Sequence, residues 1–433
     1  MNKDILRLSL PNIITNITVP LLGMVDLAIV GHIGNETYIG AIAIGTMIFN
    51  MIYWNFGFLR AGTSGFTAQA YGAEDMREAV HTLIRAITLA LFIAALLLLL
   101  QYPMAQFSRF IVRGSDRMVA LALRYFYVRI WAAPATLLLY SIKGWYIGMQ
   151  NARLPMWIAI AMNLFNIAAS LLFVFVWNMG IEGVALGTVL AQYGGLAVAV
   201  AFLVVKYRHL RVYVDVRDSL RWNEMRRFGG VNSDIFLRTL CLVLVFTFIP
   251  AVSSHMGDRI LAANTLLMQL FTICSYFLDG FAYAGESLVG RFIGARDRNS
   301  LVRCVRYLMY WGVGLTIVFT MTYALFGRNI LQLLTNDTEV VNTAMQFIVW
   351  SVLVPVCGFA AFIFDGVYIG AAASKSMRNA IFIATAAFFA IYYGLLPLLG
   401  NNALWIALLT FLLLRGVIMG VTLRKDIYEL VVK

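Results

Sequence analysis

The sequence predicts an all-α membrane protein, with about twelve transmembrane helices in two pseudosymmetric six-helix lobes. Three observations carry that expectation. Hydrophobic residues make up 61% of the chain and charged residues 12%, which excludes an ordinary soluble domain. Apolar residues run without interruption, as from Ala86 to Leu100, where a barrel would show weakly alternating strands of about ten residues. The third observation is that the two halves of the chain repeat each other.

Stretches near the roughly twenty residues a bilayer requires fall at about 8–31, 39–60, 82–103, 119–142, 155–177 and 183–205. A second set falls at about 232–254, 261–284, 304–326, 343–366, 379–398 and 402–422. Between the sets, Lys206 to Gly230 is the longest polar stretch and carries charges of both signs, so it reads as a cytoplasmic linker. The expected organisation is an N-terminal lobe over 1–205, the linker over 206–230 and a C-terminal lobe over 231–433.

The first span is the most informative. It contains Pro11 near its entry, Pro20 in its interior and Asp26 about two turns later. Pro20 removes one helical hydrogen bond and crowds the preceding turn, which predicts a kink and a hinge. An ionised Asp26 at membrane depth is costly unless something compensates it, which makes it a functional candidate. The alternative is a capped Asp near the outer end of an ordinary helix. No signal-peptide cleavage pattern follows this segment, so it is expected to be retained.

The repeat is read from matched residues. His32 and Gly34 recur as His255 and Gly257, Gly57-Phe58 as Gly280-Phe281, and Ala61-Gly62 as Ala284-Gly285. Gly72-Ala73 recurs as Gly294-Ala295, and Gly144-Trp-Tyr-Ile-Gly148 as Gly366-Val-Tyr-Ile-Gly370. The offset stays at 222–223, and an even number of spans per half gives both halves the same orientation. Such repeats place a substrate site near mid-membrane. Basic residues concentrate in alternate loops by roughly four-fold, which predicts a cytoplasmic N-terminus and, with an even number of spans, a cytoplasmic C-terminus. That placement explains the net charge of +12 without nucleic acid.

Ionisable residues within spans are Asp26, Arg60, Arg85, Arg124, Arg129 and Lys143 in the first half. The second half has Asp234, Arg238, Asp279, Glu286, Asp365 and Arg415. Asp234 and Arg238, four apart, suggest an interfacial pair on one helix. Arg60, Arg85, Arg124 and Arg415 sit near span ends and read as snorkelling cations. Asp279, Glu286 and Asp365 form either a cation site or a structural ion-pair network. Lys143 precedes its GWYIG segment as Asp365 precedes GVYIG, so the repeat sets opposite charges at equivalent depths. Asn163, Asn166 and Ser170 share one face of the fifth span. Together with Asn55, Gln69 and Thr188 they either line a cavity or bond between helices. Cys241, Cys274, Cys304 and Cys357 lie in or beside apolar segments and read as small buried hydrophobes. The histidines lack metal-like spacing and no phosphate-binding GxxxxGK[ST] loop occurs, so neither an enzyme nor direct ATP use is indicated.

The segments PLLGMVDLAIVGHIG, FGFLRAGTSGFTAQAYGA, GWYIGMQNARLP, LDGFAYAGESLVG and FDGVYIGA together resemble the multidrug and toxic compound extrusion (MATE) family, in particular its DinF-type branch. The resemblance runs through nearly the whole chain. It implies two lobes around a central cavity and alternating-access export of organic, cationic or amphipathic compounds against inward H⁺, or Na⁺. It also implies that Asp26 couples protons, with Tyr125, Asn166 and Thr188 around it. Ser170 stands where proton-driven relatives carry a second Asp, and Lys143 lies in or beside the place of a fourth-span Asn. Asp365 matches a C-lobe coupling Asp of other branches. The expected setting is the bacterial inner membrane, as a monomer that needs a small organic substrate and no cofactor. A lipid-linked precursor flippase and a non-transporting scaffold are the alternatives; a scaffold has no need of Asp26, Asp365 and Pro20 inside its helices.

Overall fold

Residues 1–31, 36–111 and 115–431 are described by a computed structural model, and helices account for nearly all of them. No strand occurs among the described residues. The helices are α1 (Asn2–Gly31), α2 (Glu36–Asn55), α3 (Phe58–Gly72), α4 (Met76–Leu99), α5 (Gln101–Ile111), α6 (Asp116–Arg129), α7 (Ala133–Gly148) and α8 (Arg153–Leu171). They continue as α9 (Gly180–Lys206), α10 (Val216–Ser219), α11 (Trp222–His255), α12 (Asp258–Gly294), α13 (Arg298–Leu334), α14 (Thr338–Gly370), α15 (Ser374–Leu399) and α16 (Asn401–Asp426).

Among the described residues, ten helical segments are long and apolar enough to cross a membrane, the α2–α3 run counting as one. α1 and the α6–α7 run, joined by a short 3-10 turn at Ile130–Ala132, are the two further segments read as spans from the sequence. The helices outrun the expected spans. α12 and α13 hold 37 residues each, about 55 Å at 1.5 Å per residue, against a hydrocarbon core of about 30 Å. Hydropathy marks only the apolar middle of such a helix, and the polar ends continue it without a break. α1 is likewise helical from Asn2 to Gly31, through Pro20 and Asp26, whose side chains lie outside the described residues. His32–Asn35, the first-half copy of the His255 segment, lie outside them as well.

Two compact units emerge. One holds Ile14–Tyr71 and Asp75–Gly229, and the other holds Met1–Ile13, Gly72–Glu74 and Gly230–Lys433. The polar connection after Lys206 therefore packs with the N-terminal unit, and the first turns of α1 group with the C-terminal unit.

The repeat is visible in the backbone. Glu74 and Arg296, 222 residues apart, both adopt positive φ (58° and 54°). Gln150 and Ala372, again 222 apart, do the same (62° and 55°). Each follows a helix end whose chain turns back through a 6→1 bond, Asp75 to Ala70, Asp297 to Phe292, Asn151 to Tyr146 and Ala373 to Tyr368. Asp75 and Asp297 then cap the next helices, accepting from the amides of Glu78 and Ser300, both at 2.9 Å. The packing repeats too. A methyl group on Gly144 would strike the carbonyl of Arg60, and one on Gly366 the carbonyl of Ala282. One turn later Gly148 faces Ser64 and Gly370 faces Glu286 in the same way. Tyr146 and Tyr368 donate to the carbonyls of Ala199 and Met419, at 2.6 and 2.7 Å.

These glycines let two backbones touch where any side chain would separate them. Gly366→Ala is therefore expected to destabilise the C-terminal unit by more than the about 1–3 kcal/mol of ordinary overpacking, because the obstacle is backbone. Thermal unfolding in detergent checks this, with Gly394→Ala, where a methyl group meets nothing, as the control.

Candidate functional site

In the N-terminal unit, α8 and α9 approach closely at Gly187, where a methyl group would come within 2.6 Å of Ser170 Oγ. That contact aligns three polar side chains. Asn166 Nδ2 donates to Thr188 Oγ1 at 3.1 Å, and Ser170 Oγ donates to Asn166 Oδ1 at 3.3 Å. Thr188 Oγ1 donates in turn to the carbonyl of Val184 at 3.1 Å, and all three side chains are buried. The structure thus joins Asn166, Ser170 and Thr188 in one chain of hydrogen bonds. Asn163, one turn earlier on α8, donates to the carbonyl of Thr18 on α1 at 3.2 Å. Thr18 lies two turns before Asp26, so the polar face of α8 is tied to the helix that carries the candidate coupling residue.

Tyr125 takes part in a separate set of contacts. It is buried on α6, and its hydroxyl accepts from Arg129 Nη1 at 2.5 Å. The Arg129 guanidinium also donates to Thr46 Oγ1 at 3.4 Å and lies 4.9 Å from the Phe49 ring centroid. Lys143, half-buried on α7, makes no hydrogen bond or ion pair among the described residues.

The C-terminal unit treats its acids differently. Asp365 on α14 is buried, and its Oδ2 accepts from two guanidinium groups, Arg238 on α11 and Arg415 on α16, the latter at 2.5 Å. Asp279 on α12 lies within coulombic reach of Arg415. Glu286, two turns further along α12, is fully buried. Among the described residues, no three His, Cys, Asp or Glu side chains converge as a metal site. Two expectations are corrected here. Asp234 does not pair with Arg238 along its own helix; it accepts from Arg378 at 2.6 Å and Ser374 at 2.7 Å. Arg415 does not snorkel, since a carboxylate on the neighbouring helix gives it a partner inside the unit. Spacing alone paired Arg238 with Asp234, because its actual partner lies 127 residues away.

Arg85 does not snorkel either. It is buried and donates to Glu78 at 2.6 Å and to the carbonyl of Ser219 in the linker at 2.8 Å. Asp218 meets Arg77 at 2.9 Å and Arg221 at 2.5 Å, so the linker is docked on α4 by charge. Arg77, Glu78, Arg85, Asp218 and Arg221, with His81 and Trp222, line a cleft of about 560 Å³.

Removing one partner of a buried pair leaves the other charge desolvated, at a cost of about 3–5 kcal/mol. Asp365→Asn strands both Arg238 and Arg415, so it is expected to lower the melting temperature more than Asp234→Asn, whose partner Arg378 reaches solvent (28% exposed). Parallel melts of the two variants measure the difference.

The MatE family model matches the chain at residues 11–172 and 235–394, once in each half. The DNA damage-inducible protein F of Escherichia coli K12 is 38% identical over 98% of this chain and 92% of its own length. Among solved structures, a MATE protein in the bent conformation has a TM-score of 0.86 at 20% identity, covering 99% of this chain and 96% of that one. The Vibrio cholerae MATE transporter VcmN in the bent form has a TM-score of 0.85 at 17% identity, covering 99% and 98%. The double match and the near full-length likeness lead to one conclusion: the chain belongs to the MATE family of multidrug and toxic compound efflux transporters.

Proposed function

We propose that this protein is a secondary antiporter that exports organic amphipathic compounds, cations among them, by alternating access in exchange for inward H⁺, with Asp26 as the coupling carboxylate. The observation that carries the reading is the contrast between the units. The C-terminal carboxylate at Asp365 is already compensated by two guanidinium groups, which leaves it poorly suited to take up a proton or Na⁺ in each cycle. The N-terminal unit instead offers the uncharged Asn166–Ser170–Thr188 chain, able both to donate and to accept, and an ammonium at Lys143. Proton coupling is therefore assigned to the N-terminal unit and Na⁺ coupling at Asp279, Glu286 and Asp365 is the reading it displaces. The proposed setting is the bacterial inner membrane, with both termini cytoplasmic and the monomer as the working unit.

Burial raises the pKa of a carboxyl group, and an ammonium within about 4–6 Å lowers it by roughly 1–3 units. If Lys143 holds Asp26 down, its loss raises the Asp26 pKa, and the proton is then released only at higher pH. Efflux of a fluorescent dye from proteoliposomes under imposed pH or Na⁺ gradients tests the whole proposal. Wild type is expected to run on the pH gradient alone, Asp26→Asn to be inactive at every pH, and Lys143→Met to show an upward shift of its pH optimum. Transport driven by Na⁺ without a pH gradient would refute proton coupling. An unchanged pH profile in Lys143→Met would remove Lys143 from it.

A further inference from the structure

Between Thr15 and Pro20, α1 departs from regular helical bonding in three ways. Pro20 has no N–H to give the Asn16 carbonyl. The Thr18 hydroxyl donates to the carbonyl of Thr15 at 2.8 Å, a back-bond of the kind that bends helices. The Thr18 carbonyl itself accepts the side-chain amide of Asn163 on α8, at 3.2 Å and across 145 residues of sequence. A carbonyl shared with a donor from another helix holds its own helical amide less firmly, which is one cause of a helix bend. The section of α1 from Ile14 on belongs with the N-terminal unit. Asn163 takes hold about one turn into that section and two turns before Asp26.

The chemistry of this contact restricts the residue type at 163. A main-chain carbonyl only accepts, so the position needs a side chain that donates. Asn donates without bringing a charge to membrane depth, which Lys or Arg would do. Asn163 also lies on the face of α8 that carries Asn166 and Ser170, about one and two turns further on. Those two are committed to each other and to Thr188 on α9. Asn163 reaches away from them and grips α1 instead. The polar face of α8 is thus fixed to α9 at one end and, at the other, to α1 just before the proline.

We infer that Asn163 is a positioning residue for Asp26. Its grip on the Thr18 carbonyl makes that point of α1 the fulcrum on which the segment bearing Asp26 turns, in fixed relation to the Asn166–Ser170–Thr188 chain. The inference rests on the reading of Asp26 as the coupling carboxylate and adds to it a residue that acts through α1. Without the grip, the segment beyond Pro20 settles at other angles, and fewer cycles bring Asp26 to its place. The loss falls on turnover, not on substrate affinity.

The test uses the full-length protein, in nanodiscs for hydrogen exchange and in proteoliposomes for dye efflux. Exchange over residues 14–26, read by mass spectrometry, reports on the tether without transport. Asn163→Leu is similar in shape and unable to donate. It is expected to speed exchange in that segment about five-fold, the loss of one neutral hydrogen bond, while α9 exchanges as in wild type. Efflux per folded transporter is expected to fall about five-fold at saturating dye, with KM unchanged. Asn163→Gln keeps the amide and is expected to recover most of both. Asn163→Ala supplies the same two readings if Asn163→Leu fails to fold. Wild-type exchange over 14–26 in these donor-less variants would overturn the tether. A rise spread equally over α1, α8 and α9 would reduce Asn163 to a packing residue and overturn the inference. So would full turnover despite faster exchange in α1. Efflux at the wild-type rate in Asp26→Asn would instead refute the coupling reading, whatever the exchange shows.

Discussion

The contact between a glycine and a main-chain carbonyl, made at Gly144 on Arg60 and again at Gly366 on Ala282, sets the spacing on which each unit is built. In a bilayer the lipid tails are as apolar as the side chains, so helices gain little from hiding hydrophobic surface from one another. Close packing must supply the attraction instead, and backbone contact maximises it. Once the second and fourth spans of a half are in contact, the neighbouring residues have defined depths. Trp145, next to Gly144, can then reach the carbonyl of Ala79 at 2.8 Å, and Asp365, next to Gly366, comes between Arg238 and Arg415.

The same scaffold carries opposite charges in its two copies. At one position stands Asp365, surrounded by cations that cancel it; at the equivalent position 222 residues earlier stands Lys143, with no ionic partner among the described residues. A compensated charge in a low-dielectric interior is held in place by the cost of separating it. An uncompensated one responds to whatever approaches. The units thus share a geometry while differing in how much work an incoming proton or ion can do on them.

Much of this was legible in the sequence, and the physical reason is that the legible parts are one-dimensional. Apolar run length gives the spans, alternation of basic loops gives an orientation, and a fixed offset gives the repeat. Asn166 and Ser170 were readable as partners because four residues bring side chains to the same face of a helix, and their bond is intrahelical. The pairing of Arg238 with Asp365 was not, because spacing along α11 favoured Asp234 and nothing in a linear chain says which helices become neighbours. Arg85 failed for a related reason. A cation near a span end normally reaches for water, but here the docked linker offers the Ser219 carbonyl in its place. The contacts of Arg129 with Phe49 and Thr46 needed the crossing of α2 and α6 before they could be seen at all.

The turns at Glu74 and Arg296, and at Gln150 and Ala372, separate what a duplicated fold must keep from what it can lose. The paired positions share a left-handed backbone and share no side chain: an acid faces a base in one pair, an amide faces a methyl group in the other, and none is glycine. The bonds that close these turns run from amide to carbonyl, so they make no demand on residue type beyond bearing the strain of positive φ. Ancestry in this chain is therefore recorded more durably in torsion angles than in letters, and the two halves remain recognisable as copies at positions where their sequences have nothing in common.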